Sequence, residues 1–261
     1  MKIAIIDLYG EDDNSGIHAI ENIIYAHSPS HLVKTYQVRM EDHWPEIADW
    51  DIIISSGGPG DPAEKNLDWS EHWRQFMQVI LLHNASNPNK KSVFLICFSF
   101  QLFCHHFDLA ETSKRDAPSY GPYACSLTPF GKKDAIFGQL PEIFEIADFR
   151  FFQVTQPNPK KLDAMGAQIL ALEKERPHIK KERALMGIRF TREIWGVQFH
   201  PEADGNRVKH SFLSEKEKFI KILGQKHYDK IIRKLQDTSG LNLTHNTILP
   251  EYLDYWAKQY K

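Results

Sequence analysis

Cys97 stands where a buried strand gives way to a helix. The apolar run 93–96 has the length of a buried strand, and the next ten residues space their apolar side chains at a helical period. A thiol at such a turn lies at the carboxyl edge of the sheet and over a helix N-terminus, whose free N–H groups favour a thiolate. Cys97 is therefore a candidate nucleophile. The alternative is that it is a small buried hydrophobic residue, the commoner role of a free cysteine.

A glycine-rich loop follows another buried strand and is expected at the same edge of the sheet. Its sequence is Gly57-Gly58-Pro59-Gly60. Glycine permits close backbone approach and positive φ, so that N–H groups can point at a substrate oxygen. No Lys-Ser/Thr pair follows the glycines, which argues against Walker-type nucleotide binding. A plain turn is the alternative.

A histidine and a glutamate close the last predicted strand. His200 and Glu202 are two residues apart, which places both side chains on one side of an extended backbone, and Pro201 between them fixes φ. A cysteine at a strand-to-helix turn, a histidine and a carboxylate match the roles of nucleophile, base and orienting group. The other histidines, including His105 and His106, are interpreted as surface or packing residues.

The order of the elements predicts the fold class. Apolar runs alternate with amphipathic helical segments in the first half, which indicates a doubly wound α/β fold with strands at 2–8, 31–38, 51–55 and 93–96. Shorter runs follow and predict antiparallel strands that extend the sheet, at 118–130, 148–155, 168–172, 184–190 and 193–199. We expect residues 206–261 to form a helical extension packed on a domain of residues 1–205, with a partner-binding module as the alternative.

Composition excludes several classes of function. The 261 residues carry a formal net charge of −2, so that no basic field favours a nucleic-acid partner. Three cysteines without a C-x-x-C pair argue against a disulfide framework or a zinc site, and fit a reducing compartment. The N-terminus begins with a strand, and no apolar run approaches membrane-spanning length. We therefore expect a cytoplasmic protein with no membrane association, no metal and no cofactor.

Taken together, the three motifs resemble those of the class I, triad-type glutamine amidotransferases. The family has a glycine-rich oxyanion loop, a G-x-C-x-G-x-Q elbow and an H-P-E ending in this order, which here correspond to Gly57–Pro62, Leu95–Gln101 and Gln198–Glu202. The resemblance covers about residues 1–205 and implies a flavodoxin-like, mostly parallel sheet. Segments 173–178 and 187–190 are similar to those of stand-alone members related to the amidotransferase part of GMP synthase.

The resemblance implies a role for each matching residue. Cys97 would attack the side-chain amide of glutamine and form a thioester, His200 would move protons, and Glu202 would orient His200. The backbone N–H groups of Gly58 and Phe98 would form the oxyanion hole. The residues implied to help hold glutamine are Gly60 and Gln101. A separate synthetase subunit would accept the ammonia.

The elbow departs from the family pattern at two positions. Leu95 and Ser99 stand where the family has glycine, and we expect the added side chains to displace the Cys97 turn or to pack it tightly. Two alternatives to a glutamine amidotransferase therefore stay open. One is a catalytically weakened or inactive relative that binds a ligand or partner. The other is a hydrolase that uses the same triad on another γ-glutamyl compound.

Overall fold

The protein is represented by a computed structural model that describes residues 1–10, 15–175 and 181–260. The strands are β1 Lys2–Ile6, β2 Leu32–Tyr36, β3 Ile52–Ser55, β4 Ser92–Ile96, β5 Ala110–Leu127, β6 Ile143–Pro157, β7 Gln168–Glu173, β8 Leu185–Arg189 and β9 Ile194–Val197. The helices are α1 Ser15–His27, α2 Asp68–Ser86, α3 Phe98–His106, α4 Pro159–Met165, α5 Gly205–Ser214, α6 Lys216–Leu223, α7 Gln225–Lys234 and α8 Ser239–Gln259. Part of the segment 173–178 lies outside the described residues.

The nine strands form one sheet in the order β2-β1-β3-β4-β9-β8-β7-β5-β6. The first five in this order pair in parallel, and the remaining four continue the sheet by antiparallel pairing. This confirms the predicted fold class. Because β4 lies between β3 and β9, the carboxyl end of β4 has the ends of those two strands as its neighbours. Ligands of open α/β sheets bind at this edge.

Both faces of the parallel sheet are buried, as its nearly continuous apolar strands require. One face packs against α1 and α8, and the other packs against α2 and α3. The C-terminal helix is part of the first core, since the ring of Tyr252 lies 4.9 Å from that of Phe94 on β4 and 6.0 Å from that of Trp195 on β9. Helices α5 to α7 form a smaller core with β5 and β6. The division of the chain at residue 205 stays a prediction.

The strands in the second half of the chain are present as expected, but two of them are longer than the sequence pattern predicts. Strands β5 and β6 have 18 and 15 residues, longer than the predicted 118–130 and 148–155, and they pair along most of their length. Residues 110–117 of β5 are mostly polar, which hides the strand pattern from a hydrophobicity argument. Residues 143–147 of β6 are mostly apolar, and the expected strand began too late there. Helix α8 has 21 residues and lies within the predicted helical extension of residues 206–261. Helix α4 is absent from the sequence-based expectation because seven residues are too few for a clear period.

None of the helices in the described ranges is long and apolar enough to cross a membrane.

Candidate active site

Cys97 has a strained backbone at the end of β4. Its φ is 47° and its ψ is −95°, a conformation that residues other than glycine rarely adopt. Two backbone hydrogen bonds hold it, because its N–H donates to the carbonyl of Val197 at 2.7 Å and its carbonyl accepts from the N–H of Gln101 at 3.0 Å. Such strain persists where the surroundings impose it, and it is characteristic of functional sites. The residue is 4% exposed and occupies the N-cap of α3.

Ser99 ties this turn to the neighbouring strand. Its hydroxyl oxygen accepts from the N–H of Ile96 at 2.8 Å and lies 2.7 Å from the carbonyl oxygen of Ser55, to which it can donate. Ile96 is the last residue of β4, beyond the register of β3, so the serine supplies a partner that the sheet does not. A glycine at position 99 would leave this buried N–H without that partner.

Leu95 is accommodated by a glycine on the adjacent strand. It pairs with Gly196 of β9 and is fully buried. A Cβ added at Gly196 would lie 3.2 Å from the Cβ of Leu95, 2.8 Å from the ring of Phe100 and 3.0 Å from the ring of Phe190. Because Gly196 has no side chain, the side chain of Leu95 has room beside it. In the family pattern a glycine at position 95 would leave that room instead.

His200 and Glu202 form a buried hydrogen-bonded pair. The Nδ1 atom of His200 lies 2.7 Å from Oε1 of Glu202, whose side chain is 2% exposed. The backbone N–H of His200 donates to the carbonyl of Ala147 on β6 at 2.9 Å, and the ring of Phe149 lies edge-on at 5.8 Å. These contacts fix the imidazole and leave its Nε2 atom for another partner.

The charges around His200 favour its protonated form. Burial lowers the pKa of the imidazole, but the charges of Glu202 and Cys97 and hydrogen bonds to both side chains outweigh burial. The pKa of His200 is therefore raised well above its usual 6.5. An imidazolium beside a cysteine is the kind of partner that stabilises a thiolate.

The glycine-rich loop packs directly on the segment that follows β1 and on the imidazole. A Cβ at Gly58 would lie 2.2 Å from the carbonyl oxygen of Leu8, and one at Gly57 would lie 2.8 Å from the His200 ring, so side chains at either position would clash. Arg39 binds the loop to the end of β1, because its Nη1 donates to the carbonyls of Leu8 at 2.8 Å and Pro59 at 2.7 Å.

Gly60 and Phe98 meet at the mouth of the site. Gly60 has a φ of 134°, and a Cβ there would lie 3.2 Å from the Phe98 ring. Phe98 is the first residue of α3, so its N–H is one of the helix donors without an intrahelical acceptor. This placement is compatible with the predicted oxyanion hole, whose two donors, Gly58 and Phe98, stay a prediction.

Two glutamine side chains connect the nucleophile to α3. Nε2 of Gln101 lies 3.2 Å from Oε1 of Gln198 and 3.3 Å from the carbonyl of Phe152. Nε2 of Gln198 in turn donates to Sγ of Cys97 at 3.7 Å. Gln198 lies within a predicted motif, but the sequence pattern assigns it no role. Its position two residues before His200, on the same side of the strand, is the signal that could have identified it.

The structure brings the predicted residues to one edge of the sheet. Glu202 is hydrogen-bonded to His200, the charge of Cys97 acts on His200, and the glycine loop and Gln101 lie beside these residues. Among the described residues, no group of three or more His, Cys, Asp or Glu side chains is placed to hold a metal ion. The arrangement can carry out nucleophilic attack by sulfur with proton transfer through an imidazole.

Comparison with known families gives a match over most of the chain. The model of the class-I glutamine amidotransferase family matches residues 13–220. None of the curated proteins matches the chain.

Solved structures share the fold at low sequence identity. A glutamine amidotransferase from Thermotoga maritima has a TM-score of 0.71 at 12% identity, covering 99% of this chain and 98% of that chain. A putative GMP synthase subunit from Thermoplasma acidophilum has a TM-score of 0.58 at 19% identity, covering 85% and 96%. The glutaminase domain of Trypanosoma brucei CTPS, solved with bound acivicin, has a TM-score of 0.56 at 15% identity, covering 77% and 86%. At these identities the similarity shows the fold.

Proposed function

The chain belongs to the class I glutamine amidotransferase family, and we propose that it hydrolyses the side-chain amide of glutamine through a cysteine thioester and releases ammonia. The observation that carries this proposal is the buried row of Cys97, His200 and Glu202. In this row the pKa of His200 is raised by the two acidic side chains that flank it.

The first half of the reaction uses the thiolate and the imidazolium. The sulfur of Cys97 attacks the side-chain carbonyl carbon of glutamine, and the carbonyl oxygen becomes an oxyanion held by backbone N–H groups of Gly58 and Phe98. His200 then gives its proton to the departing nitrogen, the C–N bond breaks, and ammonia leaves a γ-glutamyl thioester on Cys97.

The second half regenerates the enzyme. Neutral His200 takes a proton from water, the resulting hydroxide attacks the thioester carbon, and the C–S bond breaks to give glutamate and the thiolate. Glu202 holds the Nδ1–H of His200 throughout, so that Nε2 faces the reacting atoms. Gly60 and Gln101 are assigned to positioning the substrate at the mouth of the site.

The contacts at the elbow favour an active enzyme over an inactive relative. The nucleophile keeps its strained φ of 47° despite Leu95 and Ser99, because Gly196 makes room for the first and Ser99 forms hydrogen bonds of its own. Neither side chain has to displace the turn. We therefore expect turnover in the wild-type protein.

Ammonia needs an acceptor, and we assign this role to a separate synthetase subunit. Support comes from the fold shared with a CTPS glutaminase domain and a putative GMP synthase subunit. A cytoplasmic location is part of the proposal, because all three cysteines are free thiols and a reducing compartment keeps them so.

A steady-state glutaminase assay with ammonia detection tests the proposal. Wild-type protein should release ammonia from glutamine, Cys97→Ala should release none above background, and Cys104→Ala is the matched control because that thiol is buried away from the site. Equal rates for wild type and Cys97→Ala would refute the mechanism. Faster turnover of another γ-glutamyl amide than of glutamine would point to a γ-glutamyl hydrolase instead.

A further inference from the structure

A cavity of about 230 Å³ lies in the antiparallel half of the sheet. Side chains of β5, β6, β7 and β8 line it, and two exposed lysines, Lys174 and Lys234, form its rim. Cavities that hold drug-sized ligands have volumes of roughly 300–1,000 Å³, so the occupant of this one is smaller.

A network of buried charges borders this cavity. Asp148 and Arg150 are paired at 2.9 Å with both side chains 1% exposed, and Arg150 also reaches Glu173 at 2.8 Å. Arg115 binds the same oxygen of Glu173 at 3.0 Å. With the two lysines on the rim, cations outnumber carboxylates, so the cavity favours an anionic group.

Three polar atoms of the network have no hydrogen-bond partner among the described residues. They are Oδ1 of Asp148, Nε of Arg115 and Nη1 of Arg150. Unpaired buried atoms of charged groups are costly, and a network that serves only the fold would pair them. Asp148 and Arg115 both line the cavity, so an occupant that reaches these buried atoms would supply one missing donor and at least one missing acceptor.

We propose that this cavity binds a free α-amino acid. The α-carboxylate would accept from Arg115 and from Lys234, and the α-ammonium would donate to Oδ1 of Asp148. A simple carboxylate would leave Asp148 unpaired, and a simple amine would leave Arg115 unpaired. The zwitterion supplies both complements in one small molecule.

This site is distinct from the catalytic row. Among the described residues that line the cavity, none is Cys97, His200 or Glu202. Lys234 belongs to α7, which follows the region matched by the family model. α7 is held in place by its contacts with β5, where Lys234 donates to the carbonyl of Pro122 at 3.1 Å and His227 lies 3.2 Å from the hydroxyl of Tyr123.

The cavity is electrostatically connected to the nucleophile. Burial lowers the pKa of Arg150, but the charges of Asp148 and Glu173 and a hydrogen bond to Asp148 raise it. The charge of Cys97 raises it further. Because Arg150 is paired with Asp148 and its pKa responds to the charge of Cys97, an amino acid bound at Asp148 is expected to change the field at the sulfur. Binding is therefore expected to alter glutaminase turnover, although the binding itself does not depend on that activity.

Titration calorimetry with glycine tests the site, since glycine has the two charged groups and no side-chain amide. Glycine should bind one per chain, and acetate and methylammonium should bind at least about tenfold more weakly, because each lacks one charge-assisted contact. Lys234→Met and Asp148→Asn should weaken glycine binding by about tenfold. Lys230→Met, on an exposed position of the same helix, is the matched control and should bind as the wild type does.

Alkylation of Cys97 separates the two sites in the same experiment. Glycine should still bind to protein whose Cys97 has been carboxamidomethylated. Binding that disappears on alkylation but survives both cavity substitutions would place glycine in the catalytic cleft and overturn the proposal. No glycine binding to the wild type, or equal binding to Lys234→Met and wild type, would also overturn it. Lys234 is exposed, so this variant decides the matter even if Asp148→Asn does not fold.

Discussion

Replacing Ser99 tests whether the elbow depends on its hydroxyl group. In Ser99→Ala the N–H of Ile96 loses the acceptor at 2.8 Å, and the carbonyl of Ser55 loses a potential donor at 2.7 Å. Both strand ends are buried, and an unsatisfied buried polar group costs about 1–3 kcal/mol. We expect Ser99→Ala to lose about 2–3 kcal/mol of unfolding free energy. For a chain of this size that lowers Tm by about 4–12 °C.

Ser99→Gly, which restores the residue of the family pattern, should be less stable still. It removes the same hydroxyl and adds the conformational entropy of glycine in a helix, about 0.5–1 kcal/mol. We also expect kcat for glutamine to fall more than KM rises, because the turn positions the nucleophile and a shift of about 1 Å can cost roughly a hundredfold in rate.

Thermal unfolding by calorimetry and steady-state glutaminase kinetics measure both effects. Ser214→Ala is the control, because its hydroxyl is exposed and contacts only the carbonyl of Ser211 at 3.3 Å among the described residues. The reasoning would be refuted if Ser99→Ala unfolded at the wild-type temperature, or if Ser99→Gly were both as stable and more active.

The same geometry leads to three further predictions. Gly196→Ala should destabilise the fold by about 1–3 kcal/mol in chemical denaturation, because its Cβ would lie 2.8 Å from the Phe100 ring, and no change would show that the core repacks freely. Iodoacetamide at neutral pH should label Cys97 before Cys104 and Cys125, since burial raises the pKa of the latter two thiols, and peptide mapping that finds either one labelled first would contradict this. Folding raises the pKa of His200, so its protonation stabilises the protein fully below pH 6.5 and this contribution is lost as pH rises through the raised value. Glu202→Gln removes a charge that raises the pKa of His200, so the alkaline limb of the pH profile of kcat/KM should move to lower pH. An unmoved limb in a folded variant would exclude His200 as the origin of that limb.

Sequence patterns predicted the elements that carry uninterrupted apolar runs. The isoleucine-rich β1 and β3 and the turn at Cys97 were identified because burial on both faces of a parallel sheet leaves few polar residues. The first part of β5, residues 110–117, was not, because it carries few apolar side chains and its place in the sheet depends on pairing with β6. Nor does a sequence show that Gly196 compensates for Leu95, or that Gln198 contacts the thiol. Both contacts join residues about a hundred positions apart in the chain, and they exist only because β4 and β9 become neighbours in the sheet.

Trapping the acyl-enzyme measures the central claim most directly. Protein mixed with glutamine and quenched in acid should carry a γ-glutamyl adduct on the peptide that contains Cys97, detected by mass spectrometry. The adduct should be absent from Cys97→Ala and should disappear on treatment with hydroxylamine, which cleaves thioesters. An adduct on another residue, or ammonia release at the wild-type rate from Cys97→Ala without any adduct, would contradict the account.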